Sequence, residues 1–402
     1  MANEFIDREF SPSNLESYAS ACFDVAADLS EARKKRTNTV LIPSRGAVPI
    51  IWGAAYAIDC LKKEHEEYRE LYKSLRIPSE MKGYGFPAEV PIRDDPTKDG
   101  LNLLLFPFTA DINMGKFREG LDNDFYTDAT REFFTKVVGA LRKDPAKRLQ
   151  DPFFKFYYHL LTRVEKRNEL AKQTLNFPVI NCKNMHMIDT AISGRAFTTI
   201  YDAFKKIGME PEMSIIVDEQ GGKLRRDLRG KILSGTYPNA KLHKVRRIFT
   251  EDRGASLEGV VGVIYPSLMF HALDIKGMPK PIGAGSWYPI PENPPLYRAV
   301  FSTFASMLKA AVRKECASYS DKINKGHEEK ELGKQTDRLK DFLRLGLLKG
   351  EEIGEFPFPL AHNPSKTYET GSHVVHVCFS REDSLKILED FKKSRPTPNP
   401  NI

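Results

Sequence analysis

The stretch MHMIDTAISGRAF, residues 185–197, ends an apolar run on a carboxylate and then offers hydroxyls and a glycine. Asp189 is expected to end a strand at the carboxyl edge of a sheet, where open α/β folds bind their ligands. Ser193, Gly194 and the backbone amides of 195–197 would then form a helix N-terminus that can hold a phosphate monoester. An alternative requires no ligand: Ser193 caps the helix and Asp189 favours the helix dipole.

A second stretch, PSRGAVP at residues 43–49, follows another apolar run and precedes an apolar helix. Gly46 allows a tight turn, and Arg45 adds a planar cation that suits a phosphate or a pyrophosphate. The alternative is an ordinary glycine turn between a strand and a helix, which is common in this class of fold.

Apolar runs and helical periodicity around the two stretches predict an α/β fold with a mostly parallel sheet. Strands are predicted in the segments TNTVLIP, LNLLLFPF, FPVINCKNMHMID, EMSIIVDE and SLEGVVGVIYPS. Both stretches are then strand–helix junctions of one sheet, so we expect them at the same edge. A ligand with phosphate at one end, sugar in the middle and pyrophosphate at the other would match both.

The chain has 402 residues, of which 41% are hydrophobic, so it can bury a sizeable core. Composition divides it into an N-terminal helical segment (1–36), an α/β core (37–290) and a mainly helical α+β C-terminal extension with a disordered tail (291–402). A helical insertion at about 120–177 interrupts the core and is expected to form a lid or a partner surface.

The bulk properties exclude several other classes of protein. No run of eighteen apolar residues occurs and the N-terminus lacks an apolar signal segment, so we expect neither a membrane span nor a signal peptide. Five scattered cysteines indicate reduced thiols in a cytoplasmic protein and no zinc site. His373 and His376 would point to opposite faces of a strand, so no metal site is predicted there. The net charge of +7 suits anionic ligands without selecting one.

The two stretches together resemble the signature loops of the type I phosphoribosyltransferases. Ser44-Arg45-Gly46-Ala47 is similar to that family's pyrophosphate loop, which reads SRGG or LKGG. The family's loop for phosphoribosyl pyrophosphate (PRPP) has two acids, three residues, Thr or Ser, Gly, any residue and Thr, and it is similar to residues 188–196 here. The resemblance covers about residues 37–220 and implies a parallel sheet of the type I phosphoribosyltransferase fold.

The resemblance implies that PRPP, or a related phosphorylated ribose or nucleotide, is bound and then transferred or hydrolysed at ribose C1′. Asp189 and Arg45 would be the catalytic residues, with Mg²⁺ bound through the pyrophosphate and no metal ligand from the protein. The other ligand-binding residues would be Ser44, Gly46, Ala47, Thr190, Ser193, Gly194, Arg195, Ala196 and Phe197. The divergence of these loops is similar to that of phosphoribosyltransferase-like domains in bacterial antiphage systems, which implies an antiviral effector.

Two positions depart from the family pattern. Ile188 replaces the first acid, which removes one of two ribose-binding carboxylates, and Ala196 replaces the closing Thr, which removes a phosphate-binding hydroxyl. Arg195 could offset the second loss with its charge. A catalytically inactive relative that senses a phosphorylated ligand or binds a partner is therefore an alternative to the enzyme.

A third hypothesis rests on the basic stretch 221–247, where nine lysines and arginines are concentrated. Such a stretch is typical of a solvated surface, and it would also suit a nucleic-acid or protein partner. The sequence leaves homo-oligomerisation open.

Overall fold

The computed structural model forms one six-stranded sheet with helices on both faces. It describes residues 7, 10–43, 47–76, 96–105, 108, 123–162, 168–180, 185–191, 194–218, 226, 230–231, 234, 236–237, 239–246, 294–318, 320 and 323–352. The α/β class predicted from the sequence is confirmed. The predicted strand in SLEGVVGVIYPS and the tail after residue 352 lie outside the described residues.

The described strands are β1 (Thr39–Ile42), β2 (Leu75–Arg76), β3 (Leu101–Leu105), β4 (Met185–Ala191), β5 (Glu212–Asp218) and β6 (Ala240–Val245). The described helices are α1 (Pro12–Lys34), α2 (Val48–Leu61), α3 (Glu66–Ser74), α4 (Asn123–Ala140), α5 (Pro145–Arg148), α6 (Pro152–Thr162), α7 (Asn168–Leu175), α8 (Arg195–Lys206), α9 (Pro294–Cys316) and α10 (Lys325–Glu352). Helices separate β1 from β2, β3 from β4 and β4 from β5, as expected for a parallel sheet.

The strand order across the sheet is β2-β3-β1-β4-β5-β6, and every described pair is parallel. After β1 the chain builds one half of the sheet through β2 and β3. After β3 it crosses to the other side of β1 and continues outward through β4, β5 and β6. The direction of growth therefore reverses between β1 and β4.

The first face of the sheet is covered by helices from both ends of the chain. Tyr18 of α1, Trp52 of α2 and Leu308 of α9 share one buried cluster with the strand residues Val40 and Ile188. The composition boundaries near residues 36 and 290 thus do not separate independent cores. This face joins the N-terminal segment, the sheet and the C-terminal extension.

The second face is covered by the helical insertion together with α8. Phe134 of α4, Tyr157 of α6 and Phe204 of α8 share a second buried cluster with the strand residue Met187. Phe108, just after β3, packs between two of these rings, with centroids 5.8 Å from Phe134 and 5.7 Å from Phe204. The sequence leads us to expect a lid or a partner surface, but the described insertion helices form a layer of the core.

The edge strand β6 was missed because its sequence, AKLHKV, looks like part of a basic surface. Its apolar residues Ala240 and Leu242 pack on the second cluster. Lys241 and His243 alternate with them and bond to carboxylates of α1. A strand whose polar face meets a charged helix does not have the apolar pattern used to find strands.

Helix α1 is held on the sheet by a buried polar cluster around Asp28, which is 5% exposed. One of its carboxylate oxygens, Oδ1, accepts from Lys241 Nζ at 2.7 Å; the other accepts from Ser214 and lies 2.6 Å from His243 Nε2. Burial raises the pKa of Asp28, but the bonds from His243, Lys241 and Ser214 outweigh it and hold that pKa far below its usual range. The Asp28 carboxylate therefore stays charged, with both of its oxygens bonded, where α1 packs on the sheet.

Candidate functional site

The two stretches with predicted site residues leave the sheet side by side. Strands β1 and β4 are parallel neighbours, and their register pairs Leu41 with Met187. Pro43, the first residue after β1, therefore comes level with Asp189 of β4. The expectation that both junctions lie at the same edge of one parallel sheet is confirmed by this pairing.

The helices that follow these two strands go to opposite faces. Helix α2 packs in the first cluster through Ile51 and Trp52, whereas α8 packs in the second through Phe197 and Ile200. A parallel sheet whose connections diverge in this way has a crevice between the two strand ends, and open α/β folds bind ligands in this crevice. The crevice between the ends of β1 and β4 is the candidate site.

On the β4 side, Gly194 begins helix α8 with φ 77° and ψ 0°, the left-handed conformation. Its carbonyl accepts bonds from the backbone amide and from the hydroxyl of Thr198, both at 3.2 Å. Gly194 thus occupies the N-cap position that the ligand-free alternative gave to Ser193, which lies outside the described residues. The N-cap residue provides no side-chain acceptor for the first amides of α8, so those amides suit an external anion.

On the β1 side, helix α2 begins directly after Ala47, which is fully buried and has helical backbone angles. Pro49 in the first turn has no N–H, so this end of α2 offers fewer donors than the start of α8. Ser44, Arg45 and Gly46 lie outside the described residues. Of the predicted pyrophosphate stretch, the structure describes Pro43 and the residues from Ala47 onward.

Asp189 lies inside β4 rather than at its end, because β5 continues to pair with β4 as far as Ala191. The carboxylate is 1% exposed, and its Oδ1 accepts the backbone amide of Thr190 at 2.9 Å. It alternates with Ile188, so it belongs to the face that carries Met187. The structure thus places the predicted ribose-binding acid below the rim of the crevice.

The remaining predicted residues divide between core and rim. Thr190 is 5% exposed, and Phe197 is 1% exposed with its ring 5.2 Å from that of Tyr237 in an edge-to-face contact. Only the backbone amide of Phe197 is then suited to a ligand. Ala196 is half-buried, and Arg195 is the first residue of α8; its side chain lies outside the described set.

Ile188, which stands where the family has its first acid, is fully buried in the first cluster. An ionised carboxylate there would lose its hydration among apolar side chains, which costs several kcal/mol. The departure is therefore part of the core packing on the α1 and α2 side of the sheet.

Sequence reasoning missed Arg131 of helix α4. This guanidinium is 5% exposed, and its Nη1 donates to Thr199 Oγ1 of α8 at 2.9 Å. Because helix side chains tilt toward the helix N-terminus, the contact brings a buried cation beside the first turns of α8. No motif surrounds Arg131 in the sequence, and only the packing of α4 on α8 reveals it.

A serine, a histidine and a glutamate stand in the sequence of contacts that is typical of a nucleophilic catalytic site. Ser214 Oγ lies 2.8 Å from His186 Nε2, and His186 Nδ1 lies 3.9 Å from a carboxylate oxygen of Glu212. Ser214, however, is fully buried and bonds Asp28. A substrate cannot reach it, so this group stabilises the docking of α1.

The basic stretch 221–247 is only partly free for a partner. Lys241 bonds Asp28 and also Glu31, at 2.5 Å, so its charge is already used within the fold. Arg226 and Lys231 are exposed. The described part of the stretch therefore offers less free positive charge than its sequence indicates.

The described helices include none with the length and apolar character needed to cross a membrane. Within the same residues, no group of three or more His, Cys, Asp or Glu side chains is arranged to hold a metal ion. Comparison with models of known protein families, with curated proteins and with solved structures gives no match.

Proposed function

We propose that the crevice between β1 and β4 binds PRPP or a related phosphorylated ribose or nucleotide, with transfer or hydrolysis at ribose C1′. The observation that carries this proposal is the divergence of α2 and α8 from two neighbouring parallel strands. The strands that precede the two phosphoribosyltransferase-like stretches thus end at one crevice, which supports a shared ligand. The fold type of that family is part of the same proposal.

In this proposal the start of α8 binds the 5′-phosphate through the amides of 195–197. Gly194 has no Cβ, so it can adopt the left-handed conformation at the start of α8 and leave the first amides accessible to a phosphate. The guanidinium of Arg131 adds positive charge beside the same turns, and so offsets the hydroxyl lost at Ala196.

Arg45 and the amides at Gly46 and Ala47 hold the pyrophosphate end of the ligand, and Asp189 accepts hydrogen bonds from the ribose. Mg²⁺ would enter with the pyrophosphate and neutralise part of its charge. Departure of pyrophosphate leaves positive charge at C1′ and places negative charge on the β1 side, where Arg45 stabilises it.

A second candidate is a ligand sensor that retains the fold without the reaction. The burial of Ile188 and the 1% exposure of Asp189 favour it, because both ribose-binding positions of the family are then poorly placed for a substrate. Such a protein would bind the phosphate through α8 and leave the C1′ bond intact.

The test combines calorimetry with an assay for released pyrophosphate, using the full chain, Mg²⁺, PRPP and a panel of bases and nucleotides. If the protein is an enzyme, Asp189→Asn and Arg45→Ala abolish pyrophosphate release. Arg226→Ala, in the exposed basic stretch, is the matched arginine control and should leave PRPP affinity and turnover unchanged.

The outcomes separate the hypotheses. Binding without pyrophosphate release identifies the sensor. A chain that binds neither PRPP nor any other sugar phosphate rules out both. Salt-dependent binding of nucleic acid that Arg226→Ala weakens would instead favour the nucleic-acid hypothesis for 221–247.

A further inference from the structure

Two cysteines that are far apart in the sequence meet at the C-terminal ends of two packed helices. Cys60 is the penultimate residue of α2, and Cys316 is the last residue of α9. Their thiols share a hydrogen bond. Both helices belong to the first buried cluster, where Ile58 and Val312 lie in the neighbouring turns.

Further contacts hold these helix ends together. Four residues beyond each cysteine, Ser320 Oγ donates to the carboxylate of Glu64. One turn before Cys316, Arg313 Nε donates to Glu328 Oε1 of α10 at 2.8 Å. The Ser320–Glu64 bond joins the residues just after α9 to those just after α2, while Arg313 holds the last turn of α9 on α10. The thiols are already in hydrogen-bond contact, so a small shift of the helix ends can bring them to disulfide geometry.

The two thiols differ in chemistry and in access. The hydrogen bond donated by Cys60 lowers the pKa of Cys316, whereas the same bond and burial raise the pKa of Cys60. Cys60 is half-buried, and Cys316 is 1% exposed. The pair thus combines one sulfur that solvent can reach with one that is stabilised as a thiolate, as in dithiols that form disulfides.

We propose that Cys60 and Cys316 form a redox-modification site that a small disulfide oxidant, such as glutathione disulfide, converts into an intramolecular disulfide. The Cys60 thiol passes its proton along the hydrogen bond to Cys316 as it attacks one sulfur of the oxidant, and one glutathione thiolate leaves. That thiolate takes the proton from Cys316, whose sulfur then attacks Cys60 Sγ and releases the second glutathione thiolate, which takes a proton from water. The two cysteine sulfurs lose two electrons in total, and one glutathione disulfide is reduced to two glutathiones.

The bond would link the end of α2 to the end of α9 and enclose most of the chain, including β4 and α8. Closing so long a loop restricts the unfolded chain, so the oxidised protein should unfold at a higher temperature than the reduced protein. The reverse reaction with a dithiol would remove this effect. Oxidation would thus reversibly link α9, in the C-terminal extension, to α2. This effect does not depend on whether the crevice binds PRPP.

The experiment treats the folded full-length chain with excess glutathione disulfide, blocks the remaining thiols and digests without reduction. We expect a single cross-linked peptide pair containing Cys60 and Cys316, an intact mass lower by about 2 Da for the two hydrogens lost, and a raised Tm that dithiothreitol restores. Cys60→Ser and Cys316→Ser should each abolish the cross-link. Cys22→Ala is the control, because Cys22 is fully buried and burial raises its pKa, so this variant should retain the cross-link.

Three results would overturn the proposal. The first is a wild-type chain that stays reduced, or carries only glutathione on Cys60. The second is a disulfide that joins either cysteine to a different partner. The third is an unchanged Tm on oxidation. Since Cys60→Ser alters a half-buried position, a folded variant with the wild-type circular dichroism spectrum shows that loss of the cross-link is not loss of the fold.

Discussion

Gly194 shows how one residue can be required by both the backbone and the proposed site. Its φ of 77° belongs to the left-handed region, which L-residues with a Cβ enter at a cost of about 1–2 kcal/mol. Gly208, at the other end of α8, has φ 73°, and a methyl group placed on it would meet no heavy atom within 4 Å. The two glycines share the same left-handed backbone, but Gly194 is buried beside the crevice whereas Gly208 is exposed.

We therefore expect backbone strain in Gly194→Ala and in Gly208→Ala to lower the free energy of unfolding by about 1 kcal/mol each. Only Gly194→Ala should also weaken PRPP binding. The loss should be about tenfold or more, as expected when one charge-assisted contact to the phosphate is lost. Urea denaturation and calorimetry measure the two effects. Equal PRPP affinities in the two variants would contradict the placement of the phosphate at the start of α8.

His243 predicts how stability depends on pH. Burial lowers its pKa, but the carboxylates of Asp24 and Asp28 outweigh burial and raise it to about 9 from an ordinary value of 6.5. Because this pKa is higher in the folded than in the unfolded chain, the protonated His243 stabilises the fold. The stabilisation is complete below pH 6.5 and is lost as the pH rises through 9. The shift corresponds to about 3 kcal/mol.

We expect the free energy of unfolding, measured with urea, to fall by about 2–3 kcal/mol between pH 6.5 and pH 10 because His243 loses its proton beside two carboxylates. His243→Gln keeps a donor near Asp28 and has no charge to lose, so its stability should vary much less over this range. If the free energy of unfolding fell with pH equally in the wild type and in the variant, groups other than His243 would cause the loss of stability at alkaline pH.

At the scale of elements, helices α1 and α2 approach closely at Gly53. A methyl group on Gly53 would overlap Cys22 Sγ, and would lie 3.6 Å from Leu308 of α9. The glycine therefore allows three helices of the first cluster to pack together. Gly333 of α10 provides a contrast, since a methyl group there meets no heavy atom within 4 Å.

Gly53→Ala should destabilise the protein by about 1–3 kcal/mol through overpacking, whereas Gly333→Ala should be neutral or stabilising because it favours the helix. Adding Cys22→Ala to Gly53→Ala should restore part of the loss by removing the overlapping sulfur. Denaturant unfolding of Gly53→Ala, Cys22→Ala and the double variant forms a double-mutant cycle, with Gly333→Ala as the control. A purely additive cycle would mean that the two helices separate to accept the methyl group.

At the scale of the whole molecule, the first cluster makes the C-terminal helices part of the core. Phe304, Met307 and Val312 of α9 and Leu339 of α10 are fully buried in it. Without α9 and α10, these contacts are lost and the apolar side chains they cover on α1 and α2 become exposed to water.

A chain that ends at residue 290 should therefore fail to unfold cooperatively and should bind a hydrophobic dye, because the apolar side chains of α1 and α2 that α9 covers are exposed. Circular dichroism during urea titration and dye fluorescence test this, with the 402-residue chain as the reference. Cooperative unfolding of the shortened chain would show that composition had located a true domain boundary near 290.

The sequence by itself determined what depends on local pattern. Apolar runs gave the positions of β1, β3, β4 and β5, and helical periodicity gave the helices around them, because burial of one face leaves a repeat in the chain. The same runs placed the two polar stretches after strands of one parallel sheet. The pairing of β1 with β4 then confirmed that they share an edge.

Tertiary structure alone decided what depends on partners distant in the chain. The strand β6 is polar because α1 supplies carboxylates to Lys241 and His243, and no local repeat reveals that exchange. The burial of Asp189 follows from the extra pairing with β5. Cys60 and Cys316 looked like isolated thiols, and they meet only because α2 and α9 pack on the same face of the sheet. A side chain's chemistry is set by its neighbours in space, and the sequence specifies those neighbours only through the complete fold.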